Sequence, residues 1–232
     1  MLEFEIKRVK CDPSVRGSEF TVVAFPISEE RNQSLWKQAT EYYAHIQALP
    51  LDPSGRLRNK EALVKTRYLG AISELVIAEF LRAELGDIVE VAREEVYQGY
   101  EKHTDIVLTS KQNNTKLTIE VRSSFAFREI EKAICSRLSV IGPYSTSYKP
   151  GEKEKDFYLL VLADSRKVDF NPQAPHTVYF AGGAELGLLK SIGIKSDLMQ
   201  DGASYIIIRP IAKARDAEEI VNIIRNKVIN NM

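Results

Sequence analysis

Seven consecutive residues, Phe157 to Ala163 (Phe-Tyr-Leu-Leu-Val-Leu-Ala), carry no charge and no break in apolar character. A strand with one wet face alternates apolar and polar side chains; a run that is apolar at every position has to be covered on both faces. This segment therefore predicts an interior strand of a sheet held between two layers. At 232 residues and 44% hydrophobic content the chain is able to build one such core,. One domain over residues 1–232 is expected.

The elements before this strand follow from periodicity. Leu2, Phe4 and Ile6 alternate with Glu3, Glu5 and Lys7, and Phe20 to Ile27 is rich in strand formers, so an N-terminal strand pair is expected,. From about Glu29 to Ala48, Leu35, Ala39, Tyr42, Tyr43 and Ile46 recur at helical spacing, before a Pro50-Leu-Asp-Pro-Ser-Gly loop,. A second helix runs from about Lys60 to Leu85 and stops at Gly86, with Leu69, Ile72, Val76 and Phe80 as its buried stripe,. Three strands follow, Ile88 to Tyr97, Thr104 to Thr109 and Lys116 to Ser123, the last two joined by a Lys111-Gln-Asn-Asn turn, and they read as a meander,.

After the meander, a helix is expected from about Arg128 to Leu138, then a long polar loop bearing Gly142, Pro143, Pro150 and Gly151, then the apolar strand. Val178 to Phe180 and Tyr205 to Ile208 read as short strands, and Asp216 caps a final helix containing Ile220, Val221, Ile223 and Ile224,. The fold class is thus α/β (α+β), a mixed central sheet flanked by helices.

Lys plus Arg and Asp plus Glu both number 32, so no global field draws the chain to a polyanion, and any such site is a local patch,. No run approaches the roughly 20 apolar residues of a membrane span, and the first residues carry acids where a signal peptide is apolar,. Cys11 and Cys135 lack zinc-type spacing; with only two, no disulfide framework is expected, Cys135 reads as packing, and the expected location is a reducing cytoplasm without membrane partners,.

Strand alternation decides which chemical groups meet. Leu117, Ile119 and Val121 point one way, so Glu120 and Arg122 share the other face,. Asp105 faces opposite to Ile106, and hairpin pairing would bring its carboxylate beside Glu120. On the second helix Glu74 lies off the apolar stripe, on a strip with Arg67, Gly70, Ala71, Ala78 and Leu81 whose small residues allow close approach to a sheet,. Two carboxylates from neighbouring strands, with a third from a helix, suit a hard divalent cation that prefers oxygen ligands. Without a cation, their closeness is costly.

Glu74 on a helix, Thr104-Asp105-Ile-Val-Leu, Ile119-Glu120-Val-Arg122-Ser-Ser and Asp156-Phe-Tyr-Leu-Leu-Val-Leu together resemble the PD-(D/E)XK nuclease superfamily, whose core is restriction-endonuclease-like. The resemblance covers about residues 60–163 and treats the terminal elements as additions. It implies that Asp105 and Glu120 bind Mg²⁺, with Mn²⁺ as a substitute, that Glu74 is the supporting acid, and that Arg122 stands where the family has lysine. Thr104 replaces the usual proline. The implied activity is endonucleolytic hydrolysis of phosphodiesters, DNA before RNA, of a restriction- or defence-like kind. Two active sites for double-strand cutting imply a homodimer.

Other readings of the same residues stand beside this one. Acid-x-basic on a strand face is ordinarily a cross-strand salt bridge, Glu74 is equally a solvated helix residue, and His103 near the site is equally incidental. The arginine in place of lysine points to a catalytically weak or inactive nuclease fold acting as a nucleic-acid-binding or structural subunit. An unrelated α+β protein would keep Asp105 and Glu120 far apart. Arg56, Arg58, Lys60, Lys65 and Arg67, opposed by Glu61, form a basic run suited to a phosphate backbone or to plain solvent, as do Tyr144, Tyr148 and Lys149 in the later loop,. No Gly-x-Ser-x-Gly elbow and no Gly-x-x-x-x-Gly-Lys phosphate loop is present,.

Overall fold

A seven-stranded mixed sheet dominates the computed structural model, which describes residues 3–45, 60–93, 104–145, 153–197 and 204–230. In chain order its strands are β1 (Glu5–Val9), β2 (Phe20–Ile27), β3 (Val89–Arg93), β4 (Ile106–Ser110), β5 (Lys116–Phe125), β7 (Phe157–Ala163) and β8 (His176–Glu185). Their spatial order is β1-β2-β8-β7-β5-β4-β3. β3, β4 and β5 form the expected antiparallel meander. β7 lies parallel to β5, with Phe157 beside Ile119 and Leu160 beside Arg122. Asp156 fixes that register: one carboxylate oxygen accepts both the N–H and the hydroxyl of Thr118 at 2.7 Å.

The apolar strand is covered on both faces, as its composition requires. Phe157, Leu159 and Val161 pack with α1 (Glu29–His45), α2 (Lys60–Leu85) and α5 (Ala217–Asn230). Tyr158, Leu160 and Leu162 pack against a second layer. That layer comprises α4 (Leu186–Ile192) and a small sheet ordered β6-β10-β9, from β6 (Val140–Ser145), β9 (Ile194–Ser196) and β10 (Ser204–Ile208). Each large apolar side chain so enclosed contributes about 1.5–3 kcal/mol relative to exposure. The interior strand therefore anchors both cores.

The capping of α5 by Asp216 is reciprocal: the Glu219 N–H donates to Asp216 Oδ1 and the Asp216 N–H to Glu219 Oε2, both at 2.9 Å,. Arg16 closes this corner with 3.0 Å ion pairs to both carboxylates. Beside it, Gly182 has a φ of +74°, and a Cβ there would stand 2.1 Å from the Arg215 carbonyl oxygen, so the bulge in β8 demands glycine,.

Three expectations need correction. The helix after β5 begins later and is irregular: Phe127 and Arg128 take left-handed backbone, α3 spans only Ile130–Lys132, and a π-helical turn follows at Ala133–Arg137. The expected loop after Leu138 opens as strand β6, because Val140 and Ile141 pair with Ile208 and Ile207 of β10, Val140 fully buried, despite Gly142 and Pro143. Finally, Cys11 and Cys135 form a disulfide, their Cα atoms 5.3 Å apart across a sequence separation of 124. Spacing gave no sign of this, because only the fold brings the β1–β2 connection onto the π turn. Among the described residues no helix is long and apolar enough to cross a membrane.

Candidate functional site

Asp105 and Glu120 meet because β4 stops pairing where it does. Ile106 is the outermost residue of β4 in register with β5, opposite Ile119, so the next step outward sets Asp105 opposite Glu120. The Asp105 carboxylate turns back onto β5, and its Oδ2 accepts the Val121 N–H at 2.7 Å. A side-chain oxygen thus serves a ladder amide just beyond the last paired residue of β4. Both acids are nearly enclosed, Asp105 at 4% and Glu120 at 8% exposure.

Glu120 and Arg122 alternate with the core residues Ile119 and Val121 and so face the second layer, beside Tyr158 and Leu160 of β7. Arg122 Nη1 lies 2.9 Å from Glu120 Oε1, and its guanidinium carbon lies 5.7 Å from the Tyr144 ring centre. Tyr144 pairs in register with Tyr205 of β10, their ring centres 5.4 Å apart. Arg122 is thus held between an acid on its own strand and an aromatic ring on the small sheet. Burying a charge is costly unless it is paired. Here one Glu120 oxygen and one Asp105 oxygen each have a donor.

The donor chemistry fits Mg²⁺: two carboxylates from adjacent strands offer hard oxygen ligands, and that ion is commonly held by one or two carboxylates with the rest of its shell from water and substrate. Asp105 and Glu120 are the residues that would hold it. Glu74 does not complete a three-acid cage. It sits half-buried on α2, which packs on the Ile119/Val121 face of β5, across the sheet from the Glu120 side chain. Among the described residues no three His, Cys, Asp or Glu side chains gather closely enough to hold a metal.

The nucleic-acid contacts expected from the sequence are spread out. Lys60 opens α2, Lys65 is paired with Glu61 one turn away at 2.9 Å, and Arg67 is exposed farther along the helix. Tyr144 reaches the site, although from a strand. Arg56, Arg58, His103, Tyr148 and Lys149 lie outside the described residues.

Lys155 is the site neighbour that sequence reading passed over. At 2% exposure it is nearly enclosed, and its Nζ donates to Thr104 Oγ1 at 2.8 Å, one residue from Asp105. Its backbone N–H donates to the Tyr158 hydroxyl at 3.1 Å. Within Glu152-Lys-Glu-Lys-Asp156 it carries no signal distinguishing it from solvated charge. Only its place at the start of an interior strand buries it.

No known protein family matches the chain, and no solved structure matches it. Over 96% of its length it is 26% identical to an uncharacterized protein of Methanocaldococcus jannaschii, 92% of which is covered. The similarity thus spans the terminal strands and helices as well as the segment bearing Asp105 and Glu120.

Proposed function

We propose that this chain is a metal-dependent phosphodiesterase of the PD-(D/E)XK type, acting on DNA in preference to RNA. The observation that carries the proposal is the docking of the Asp105 carboxylate onto Val121 N–H, directly opposite Glu120. The succession α2, β3-β4-β5, α3 with its π turn, then β7 parallel to β5 supports a restriction-endonuclease-like core. A bound Mg²⁺ would supply Lewis-acid stabilisation of the phosphate and a water acidic enough to attack it. Asp105 and Glu120 present oxygens on one side of β5. Arg122 stays charged at every physiological pH, so it takes no proton from water; its planar fork binds and orients a phosphate and offsets developing charge. A homodimer would supply two such sites to a duplex.

The Glu120–Arg122 ion pair favours a second reading. An arginine that already neutralises the glutamate removes part of the need for a cation, which suits a weakly active or inactive nuclease fold serving as a nucleic-acid-binding subunit. One assay separates the two. Purified protein is incubated with DNA and RNA substrates and Mg²⁺ or Mn²⁺. Cleavage abolished by Asp105→Ala and by Glu120→Ala is the expected result. Cleavage surviving both changes rejects the site, and metal-independent binding without cleavage supports the second reading.

A further inference from the structure

Beyond the acid pair, the strongest unexplained feature is the turn that leaves β5. Phe127 and Arg128 are consecutive non-glycine residues with φ of +56° and +63°, a backbone region that bulky side chains rarely occupy,. Residues held this way cluster where function requires a particular presentation. The structure holds the turn firmly: Phe127 N–H donates to the Ser165 carbonyl at 3.0 Å, and Glu129 N–H to the Ala126 carbonyl at 3.0 Å. The effect is to project an aromatic ring outward, since Phe127 is 47% exposed.

The loop it is tied to has the same character. Residues 164–169 leave the end of β7, and Val168 there is 81% exposed. Arg166 and Lys167 directly precede it, and neither forms an ion pair within the described residues, whereas Arg128 is paired with Asp169 and Glu129 with Lys132 and Arg137; the exposed Asp164 opens the loop. Two apolar side chains with two unpaired cations thus crown the carboxyl ends of β5 and β7, the sheet's parallel pair. Ligands of open α/β sheets gather at such strand ends. Water is a poor environment for the apolar pair, and the cations match a polyanion.

We propose that the Phe127–Arg128 turn and the 164–169 loop form a nucleic-acid contact surface, with Phe127 stacking on or wedging between bases while Arg166 and Lys167 hold phosphates. The inference deepens the phosphodiesterase reading and rests on it for the identity of the polyanion. It also sets a distance. Phe127 lies seven residues beyond Glu120, so about 3.3 Å per strand residue puts the contact roughly 20 Å from the acid pair,. A strand rising about 3.4 Å per nucleotide spans that gap in roughly six nucleotides.

The test is fluorescence anisotropy with single-stranded and duplex oligonucleotides in EDTA, where cleavage does not intervene, supported by melting curves. Phe127→Ala is expected to weaken binding about tenfold while folding normally, and Phe127→Trp to retain binding. Arg166→Ala and Lys167→Ala should each reduce the magnitude of the slope of log affinity against log salt by about 0.9 on duplex and about 0.7 on single strands. No binding by wild type, or wild-type affinity and salt slope in all three alanine variants, overturns the proposal. Cleavage that depends on Asp105 but ignores Phe127→Ala overturns it and leaves the phosphodiesterase reading intact, whereas Phe127-dependent binding without cleavage does the reverse.

Discussion

Arg122 Nη1 lies 2.9 Å from Glu120 Oε1 on one face of β5, and this pair governs how the site behaves without a bound cation. Side chains two apart on a strand project side by side. The carboxylate is nearly enclosed, so the guanidinium offsets a charge that water does not reach well.

Removing Arg122 takes away a cation held 2.9 Å from a nearly enclosed carboxylate. Arg122→Met is expected to cost about 3 kcal/mol of unfolding free energy in urea titrations at neutral pH. Mg²⁺ or Mn²⁺ should restore part of the loss, because a divalent ion offsets the same charge, and Arg122→Lys should lose less. A metal-insensitive Arg122→Met protein as stable as wild type contradicts this account of the pair.

The disulfide makes a separate prediction. Joining Cys11 to Cys135 closes a loop with a separation of 124 residues, and chain entropy alone assigns such a cross-link up to about 5 kcal/mol,. Melting with and without reductant should show a marked fall in Tm on reduction, matched by Cys11→Ser. Unchanged melting would show that the bond does not constrain the unfolded chain.

His176 makes stability depend on pH. Burial lowers its pKa below the ordinary histidine value, against a smaller opposing pull from the Ala174 carbonyl, 3.0 Å from Nδ1. Its Nε2 lies 3.3 Å from the Tyr68 hydroxyl, whose own pKa is pushed up by burial and which donates to Asn32. With the folded pKa depressed, the unfolded chain takes up the proton first. This contribution is fully present above about pH 6.5 and is lost as pH falls through that value towards the folded pKa. Melting from pH 7.5 to 5 should show a decline that His176→Phe flattens.

The left-handed turn stores strain. Arg128→Gly should stabilise the protein by roughly 1 kcal/mol, since left-handed backbone at a non-glycine residue costs about 1–3 kcal/mol and glycine returns part of that as entropy. Denaturant midpoints test this directly, and destabilisation would mean that the Arg128–Asp169 pair outweighs the strain.

Periodicity made most of the main sheet legible. The helix from Lys60 to Leu85, the β3-β4-β5 meander, the doubly covered β7 and the Asp216 cap follow from local patterns that tertiary packing reinforces. Alternation along β5 also put Glu120 and Arg122 on one face. What sequence did not disclose depends on long-range contact. β6 is a strand because β10 pairs with it, and the cysteines bond because separate segments converge. Lys155 is buried by the strand it precedes. For Glu74, helical spacing gave the correct helix, but not the side of the sheet on which α2 packs relative to Glu120.

A crystal soaked in Mn²⁺ and measured near the manganese absorption edge tests the central claim most directly. The account predicts an anomalous peak within about 2.5 Å of oxygens from both Asp105 and Glu120, lost in Asp105→Ala. A fully soaked crystal with no peak between those carboxylates, and Arg122 still paired with Glu120, would contradict it.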